Sequence, residues 1–247
     1  MIVDKTGHAK SVHEKGYAAN DGQGTAGPRQ PEHVVETPFD LSRADERLAR
    51  LAWTVYHRPQ LFSALCAVKR ARTKTALLLA AWCLVEGIYD RERPLDWMQP
   101  NVWLGIGLLL ILGGLAFRLA ALGCLRKKQH LATYGVYSRC RHPLYLGSIL
   151  LTYGFCVLLA DSENYILATA YFVIFYPLTI FWEEVCLSAR YGKAHRRYRE
   201  QTSLLLPLGT FRAGRFSWTW AMSQGGAALL TLVITMVIGV QVMAKSL

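Results

Sequence analysis

Four long apolar segments follow one another along the chain, separated by short polar or basic stretches. They cover residues 102–123, 144–160, 165–182 and 221–244. Each is close to the roughly 20 residues that an α-helix needs to cross a hydrocarbon core about 30 Å thick. The pattern predicts an all-α fold, an integral-membrane helical bundle.

A fifth apolar segment, residues 75–89, is shorter than the others. Its 15 residues reach only about 22 Å at about 1.5 Å per residue, so it spans a bilayer only with snorkelling side chains or local thinning. If it does span, the bundle has about five transmembrane helices.

Before these segments the apolar residues recur at helical spacing, at Leu48, Leu51, Ala52 and Val55. This predicts an amphipathic helix that ends near Arg58 and lies either on the membrane surface or against the protein. The first 40 residues combine scattered charges with many glycines, which is typical of a disordered tail, here placed in the cytoplasm. The expected organisation is a tail (1–40), an amphipathic interfacial segment (41–74), a membrane core (75–215) and a C-terminal transmembrane helix (216–247).

Charge changes this picture by giving the bundle an orientation. The chain is 52% hydrophobic yet carries a net charge of +11, and its basic residues fall in short runs between the apolar segments. That distribution is typical of membrane topology and disfavours a nucleic-acid partner. Residues 125–142 and 190–215 are rich in Lys and Arg, whereas the link DSEN at 161–164 has none. Both basic stretches are therefore predicted to face the cytoplasm, from a bacterial inner membrane or the endoplasmic reticulum.

The DSEN link is short enough to make the segments on either side of it an antiparallel hairpin. The hairpin brings RCRHPLY, residues 139–145, beside FWEEVCL, residues 181–187. Polar chemistry from two distant parts of the sequence is thus expected to meet at one membrane boundary.

Glu183 and Glu184, the acidic pair, lie at the predicted end of their helix. A helix C-terminus carries partial negative charge and favours cations, so two carboxylates there indicate a cationic partner, either a nearby Arg or a ligand ammonium. The alternative is that the charges around this boundary are snorkelling or paired side chains with no further role.

The facing helix start has complementary features. Pro143 stands in the first helical turn, where its missing N–H is not needed, and the N–H groups of Leu144 and Tyr145 are expected to be free for an anion such as a carboxylate. His142 adds a titratable donor and Tyr145 an aromatic face. Together with the acidic pair, such a site suits a zwitterionic amino acid that carries a sulfonium.

The two stretches YGVYSRCRHPLYLG and EEVCLSARYGKAHRRYREQTSLLLP resemble the isoprenylcysteine carboxyl methyltransferase and phospholipid methyltransferase superfamily of membrane enzymes. The resemblance covers about 80 residues, 129–208. The positions that match the signature are Gly135, Tyr137, Arg141, His142, Pro143, Tyr145, Gly147, Glu183, Glu184, Leu187, Tyr191, Gly192, Tyr198 and Pro207.

The resemblance implies methyl transfer from S-adenosylmethionine, which comes from the cytoplasm, to a lipophilic acceptor from the bilayer. The expected partners are that acceptor and membrane lipids, with no metal ion. Arg141 would orient an anionic substrate group, with His142 or Glu184 as possible bases. The residues implied in cofactor binding are His130, Leu131, Tyr137, His142, Pro143, Leu144, Tyr145, Glu183 and Glu184.

Two departures from the family pattern leave the acceptor open. Relatives that methylate isoprenylcysteine have an Arg four residues before the first Glu, where this chain has Thr179, and a family His is replaced by Gln129, with His130 adjacent. The acceptor is thus an isoprenylcysteine-like carboxylate, a lipid head group or another nucleophile. Two other functions are considered: an NADPH-dependent membrane reductase of a sterol or enone lipid, and a non-catalytic assembly protein.

Overall fold

The computed structural model describes residues 58–89, 101–125 and 131–246, together with Leu48, Arg50 and Thr54. Every regular element in these ranges is helical, which confirms the all-α prediction. The elements are α1 (Pro59–Tyr89), α2 (Val102–Cys124), a 3-10 turn (Val136–Ser138), α3 (Pro143–Leu159), α4 (Ser162–Tyr191), α5 (Lys193–Gln201), α6 (Trp218–Ala221), a π-helical turn (Met222–Gly226) and α7 (Ala227–Ser246).

Among the residues that the structure describes, three helical stretches are long and apolar enough to cross a membrane: α2, α4 and Trp218–Val242. The apolar helix α3 and the stretch Lys74–Cys83 of α1 are shorter. Large apolar side chains such as Leu109, Ile166 and Val173 remain mostly exposed on the outside of the bundle. Hydrocarbon chains, rather than water, suit such a surface, so the structure is that of a helical membrane bundle.

Helices α2 and α3 pack backbone against backbone because glycines face each other. A Cβ atom built on Gly114 would lie 2.7 Å from the carbonyl oxygen of Gly147, and one on Gly154 would lie 2.9 Å from that of Gly107. Only glycine permits this approach, which resembles the small-residue contacts of membrane helices. The close contact fixes α3, and with it the segment that precedes α3.

The hairpin between α3 and α4 is tighter than the sequence indicated. Ala160 adopts the left-handed conformation at φ 59°, and Asp161 then caps α4 by accepting hydrogen bonds from the N–H groups of Glu163 and Asn164 at 2.9 and 3.0 Å. The carboxylate cap satisfies backbone donors that a helix start otherwise leaves unpaired. The predicted antiparallel pairing is present, and the start of α3 meets the C-terminal part of α4.

One prediction about this hairpin is wrong. Helix α4 does not end near the acidic pair but continues to Tyr191, where Gly192 at φ 49° stops it. The partial charges of a helix end act within its last turn, and Glu183 and Glu184 lie about two turns earlier. The dipole argument for a cationic partner therefore does not hold, and the surroundings of each carboxylate must decide its role.

The N-terminal part differs in detail from the expected organisation. Leu48 is helical and buried against Val185 and Phe181, which favours packing against the protein over a position on the membrane surface. Helix α1 then runs without interruption across the boundary expected between residues 74 and 75. The predicted tail, residues 1–40, lies outside the described residues.

Candidate functional site

The segment before α3 is held in place by the chain that follows α5. The backbone N–H groups of Arg141 and His142 donate to the carbonyls of Ser203 and Leu204 at 2.9 and 3.1 Å. Gly135, at φ 62°, donates to the carbonyl of Arg212 at 2.7 Å. These long-range bonds fix the backbone of Arg141 and His142, so their side chains leave it in set directions.

Glu184 is the centre of a buried polar cluster. Its Oε1 lies 2.9 Å from His142 Nε2, and its Oε2 accepts a hydrogen bond from Arg141 Nη1 at 2.5 Å. The Arg199 Nε lies 3.2 Å from the same Oε2. The Glu184 side chain is only 7% exposed. A carboxylate this buried is costly unless paired, and the three partners compensate for the lost hydration.

Glu183 has a different environment although it is the next residue. Its side chain is 47% exposed, and His142 Nδ1 lies 3.7 Å from its Oε2. The same carboxylate lines a cavity of about 420 Å³ between the helices. Of the acidic pair, Glu183 is thus the member that is accessible to a ligand.

Helix α5 contributes further side chains to the site. Tyr198 donates its hydroxyl hydrogen to the carbonyl oxygen of Tyr137 at 2.6 Å, and His195 is fully buried with Nε2 at 3.9 Å from Glu184 Oε1. The roles of His195 and Arg199 were not predicted. The charge and spacing of these residues are typical of a basic helix on the surface. The turn at Gly192 directs the side of α5 that carries His195 and Arg199 toward Glu184.

The pKa values of the two histidines in the cluster are shifted in opposite directions. Burial lowers the pKa of His142, but hydrogen bonds to Glu183 and Glu184 outweigh burial and raise it above 6.5. Burial lowers the pKa of His195 to about 4, against a weaker opposing effect of Glu184. The site therefore favours the protonated form of His142 and the neutral form of His195.

The cavity has a polar end at α3. Arg72 on α1 donates from Nη1 to the Tyr145 hydroxyl at 2.8 Å, with its guanidinium carbon 5.1 Å from the centre of that ring. Arg118 on α2 donates from Nη1 to the Ser148 hydroxyl. Neither arginine was predicted as a site residue. Arg118 carried a signal, because it is the one charged residue in the apolar run 102–123.

The other predicted site residues take several positions. Tyr137 and Pro143 are buried, Leu131 and Leu144 are partly buried, and His130 lies outside the described residues. The prediction that the N–H of Tyr145 is free to bind an anion is wrong. This N–H donates to the carbonyl of His142 at 3.1 Å as the first turn of α3 closes. Thr179 stands where related enzymes have an Arg, and its hydroxyl donates to the carbonyl of Phe175 in the same helix at 2.6 Å.

The stretch of sequence that forms α2, α3, α4 and the start of α5 matches a known family model. Residues 102–194 match the family model for phospholipid methyltransferase. The matched stretch, 93 of the chain's 247 residues, is therefore similar to a phospholipid methyltransferase domain.

One curated relative is the cobalt-zinc-cadmium resistance protein CzcN of Cupriavidus metallidurans. It is 31% identical over 137 residues, which cover 52% of this chain and 59% of that protein. Among the residues that the structure describes, no group of three or more His, Cys, Asp or Glu side chains is arranged to hold a metal ion. No solved structure matches the chain.

Proposed function

We propose that this protein transfers a methyl group from S-adenosylmethionine to a lipophilic acceptor within the membrane. The observation that carries the proposal is the different surroundings of Glu183 and Glu184. Glu184 is neutralised by Arg141, His142 and Arg199, while Glu183 faces the cavity. The first carboxylate supports the site, and the second is placed for a cationic ligand.

The donor set fits S-adenosylmethionine. Glu183 would take its ammonium, and His142 with Tyr145 would hold the carboxylate of the same amino-acid end. The Tyr145 ring lines the same cavity, and an aromatic ring attracts a soft cation. When bound, this cofactor supplies a methyl group activated by a positively charged sulfur.

The chain's own contribution to such a reaction is orientation and exclusion of water. Positive charge is lost from sulfur as the methyl group leaves, so tight electrostatic stabilisation of the sulfonium would favour the ground state. The buried cluster around Glu184 instead holds α3, α4 and α5 in fixed positions. Alignment of the two reactants is the larger source of rate in such a site.

The protonation of His142 bears on the acceptor class. Its raised pKa favours the protonated form, and its Nε2 already contacts Glu184, so His142 is poorly suited to act as a base. Glu184 is engaged by its three partners. An anionic acceptor such as a carboxylate needs no base, whereas an amine or a phenol does. The site therefore favours a carboxylate acceptor over these two.

The orientation in the membrane follows from charge. Lys193, Arg196, Arg197 and Arg199 belong to α5, which lies beside the candidate site. Basic segments next to membrane helices remain in the cytoplasm, so we place this end of the bundle there.

Ligand binding to the purified full-length protein in detergent tests the proposal. Isothermal titration calorimetry should detect S-adenosylmethionine, and Glu183→Gln should weaken binding at least about tenfold, because a charge-assisted hydrogen bond is lost. Glu200→Gln, an exposed change on α5, is the matched control and should bind as the wild type does. Transfer of a radiolabelled methyl group into a lipid extract then identifies the acceptor.

The same binding experiment distinguishes a methyltransferase from the two competing functions. A membrane reductase would bind NADPH and not S-adenosylmethionine, and that result would refute a methyltransferase. The exposed carboxylate of Glu183 disfavours the phosphate groups of such a cofactor. A non-catalytic assembly protein would bind neither compound.

A further inference from the structure

Arg118 is the most unusual charge in the bundle. It lies inside the membrane-spanning helix α2 and lines the cavity. Within the described residues it forms no ion pair. Its Nη1 donates to Ser148, and its Nε is buried without a hydrogen-bond partner. An arginine within a membrane helix is costly, and those that are kept mark ligand paths or paired sites.

The packing of α2 on α3 directs this side chain into the cavity. A Cβ atom built on Gly147 would lie 2.6 Å from the Cγ of Arg118, so the arginine stem crosses α3 where that helix has no side chain. The guanidinium then reaches Ser148, beside the cavity wall. Arg118 is thereby held at a fixed position instead of extending toward the membrane surface.

A second cation stands one turn nearer the cofactor end. His142, Tyr145 and Ser148 follow one another along α3 at three-residue steps of about 4.5 Å each. Arg72 binds the Tyr145 hydroxyl, and Arg118 binds that of Ser148. Among the described residues that line the cavity, two arginines stand against the one carboxylate of Glu183, so their net charge is positive.

The rest of the cavity wall is apolar. Helices α1 and α7 contribute Ala76, Leu77, Ala80, Leu229, Val233 and Met236 to it. The volume of about 420 Å³ lies within the roughly 300–1,000 Å³ that is typical of small-molecule sites. A cavity with two guanidinium groups at one end and hydrocarbon walls elsewhere fits an anionic amphiphile.

We propose that Arg118, assisted by Arg72, binds the anionic group of the lipophilic methyl acceptor. The inference rests on the proposed function, because it names the acceptor's place in the same site. The bound group is a carboxylate or a phosphate on a hydrocarbon chain, since the planar guanidinium pairs with both. The carboxylate of S-adenosylmethionine shares this chemistry, but His142 and Tyr145 lie closer to its ammonium site at Glu183.

Binding of tritiated hexadecanoate to the purified protein in dodecyl maltoside tests this inference. Unlabelled hexadecanoate and hexadecyl phosphate should both displace the label, and hexadecanol should need at least a tenfold higher concentration. Arg118→Gln should weaken hexadecanoate binding at least tenfold, and Arg118→Lys should weaken it less. Arg196→Gln, an exposed arginine on α5, is the matched control and should bind as the wild type does.

The outcomes separate this inference from the proposed function. Equal displacement by hexadecanol, which needs only the wild-type protein, overturns the inference whatever the variants do. If Arg118→Gln loses S-adenosylmethionine binding and keeps hexadecanoate binding, the arginine holds the cofactor and the inference is wrong. If the wild type binds hexadecanoate through Arg118 but does not bind S-adenosylmethionine, the arginine site stands and the methyltransferase proposal fails.

Discussion

The Nε2 atom of His142 lies 2.9 Å from Oε1 of Glu184, although 42 positions separate the two residues in the sequence. This contact joins the start of α3 to the body of α4, and Arg141 reinforces it by binding the second oxygen of the same carboxylate. It depends on the tight turn at Ala160 and Asp161, which sets the register of the hairpin. The stability of the bundle and the geometry of its candidate site therefore share one buried carboxylate.

Glu184→Gln should destabilise the protein by about 3 kcal/mol, because loss of one member of a buried ion pair leaves the others uncompensated. Arg141 and Arg199 would keep their charge without the carboxylate. Thermal unfolding in detergent measures the effect. The exposed pair Arg196 and Glu200 provides a control, since Glu200→Gln should cost less than about 1 kcal/mol. Equal losses for the two variants would show that Glu184 has no special structural role.

The helices of the membrane core could be predicted from the sequence more closely than the site. The apolar run 102–123 became α2 at Val102–Cys124, and 144–160 became α3 at Pro143–Leu159. An apolar run marks the part of the chain that hydrocarbon surrounds. Its bounds therefore agree with those of a helix that begins and ends at the membrane boundary. Helix α4 leaves that boundary and continues to Tyr191, and no change in hydropathy marks its end.

The candidate site was predicted in part, because its two halves carry recognisable residues. Their pairing followed from the short link, but the separation of Glu183 from Glu184 by exposure did not. Adjacent residues on a helix point about 100° apart, and the positions of α3 and α5 decide which of them is buried. Arg199 reaches Glu184 only because the chain turns at Gly192, a tertiary feature that local spacing does not encode.

The raised pKa of His142 makes the stability of the fold depend on pH above 6.5. Protonated His142 is favoured in the folded state, so its contribution is complete below its ordinary pKa of 6.5 and disappears as pH rises through the higher folded value. The unfolding midpoint of the wild type should therefore fall from pH 6.5 toward alkaline pH. His142→Gln should lack this part of the decline. A variant that keeps the full decline would assign it to another group.

His195 should act in the opposite direction on the acid side. Its folded pKa of about 4 lies below its ordinary 6.5, so folding excludes a proton that the unfolded chain accepts. Its contribution is present above pH 6.5 and is lost as pH falls toward 4. The unfolding midpoints of wild type and His195→Gln, compared between pH 6.5 and 5, should converge on acidification. A constant difference would place the pKa of His195 near its ordinary value.

The contact between α2 and α3 makes neighbouring glycines unequal. Gly114→Ala places a methyl group 2.7 Å from the backbone oxygen of Gly147 and should cost about 1–3 kcal/mol. At Gly113, on the same helix, no atom lies within 4 Å of a built Cβ. Gly113→Ala should be neutral or stabilise the helix by up to about 1 kcal/mol. Thermal unfolding of both variants checks the packing, and a larger loss for Gly113→Ala would contradict it.

The proposed orientation predicts opposite labelling at the two ends of the α4 region. Glu163 is exposed in the first turn of α4, and Arg196 is exposed on α5, beyond the other end of that 30-residue helix. At about 1.5 Å per residue, α4 is about 45 Å long and exceeds a hydrocarbon core of about 30 Å. In intact cells a membrane-impermeant maleimide should therefore label Glu163→Cys, and it should label Arg196→Cys only after permeabilisation.

The wild type, with its native cysteines, sets the background for this labelling. Cys124, Cys140 and Cys156 are buried, so their reaction should be slow. Labelling of Arg196→Cys in intact cells, with Glu163→Cys protected, would reverse the orientation and place the candidate site on the outer face. Because S-adenosylmethionine is made inside cells, that outcome would also argue against the proposed cofactor.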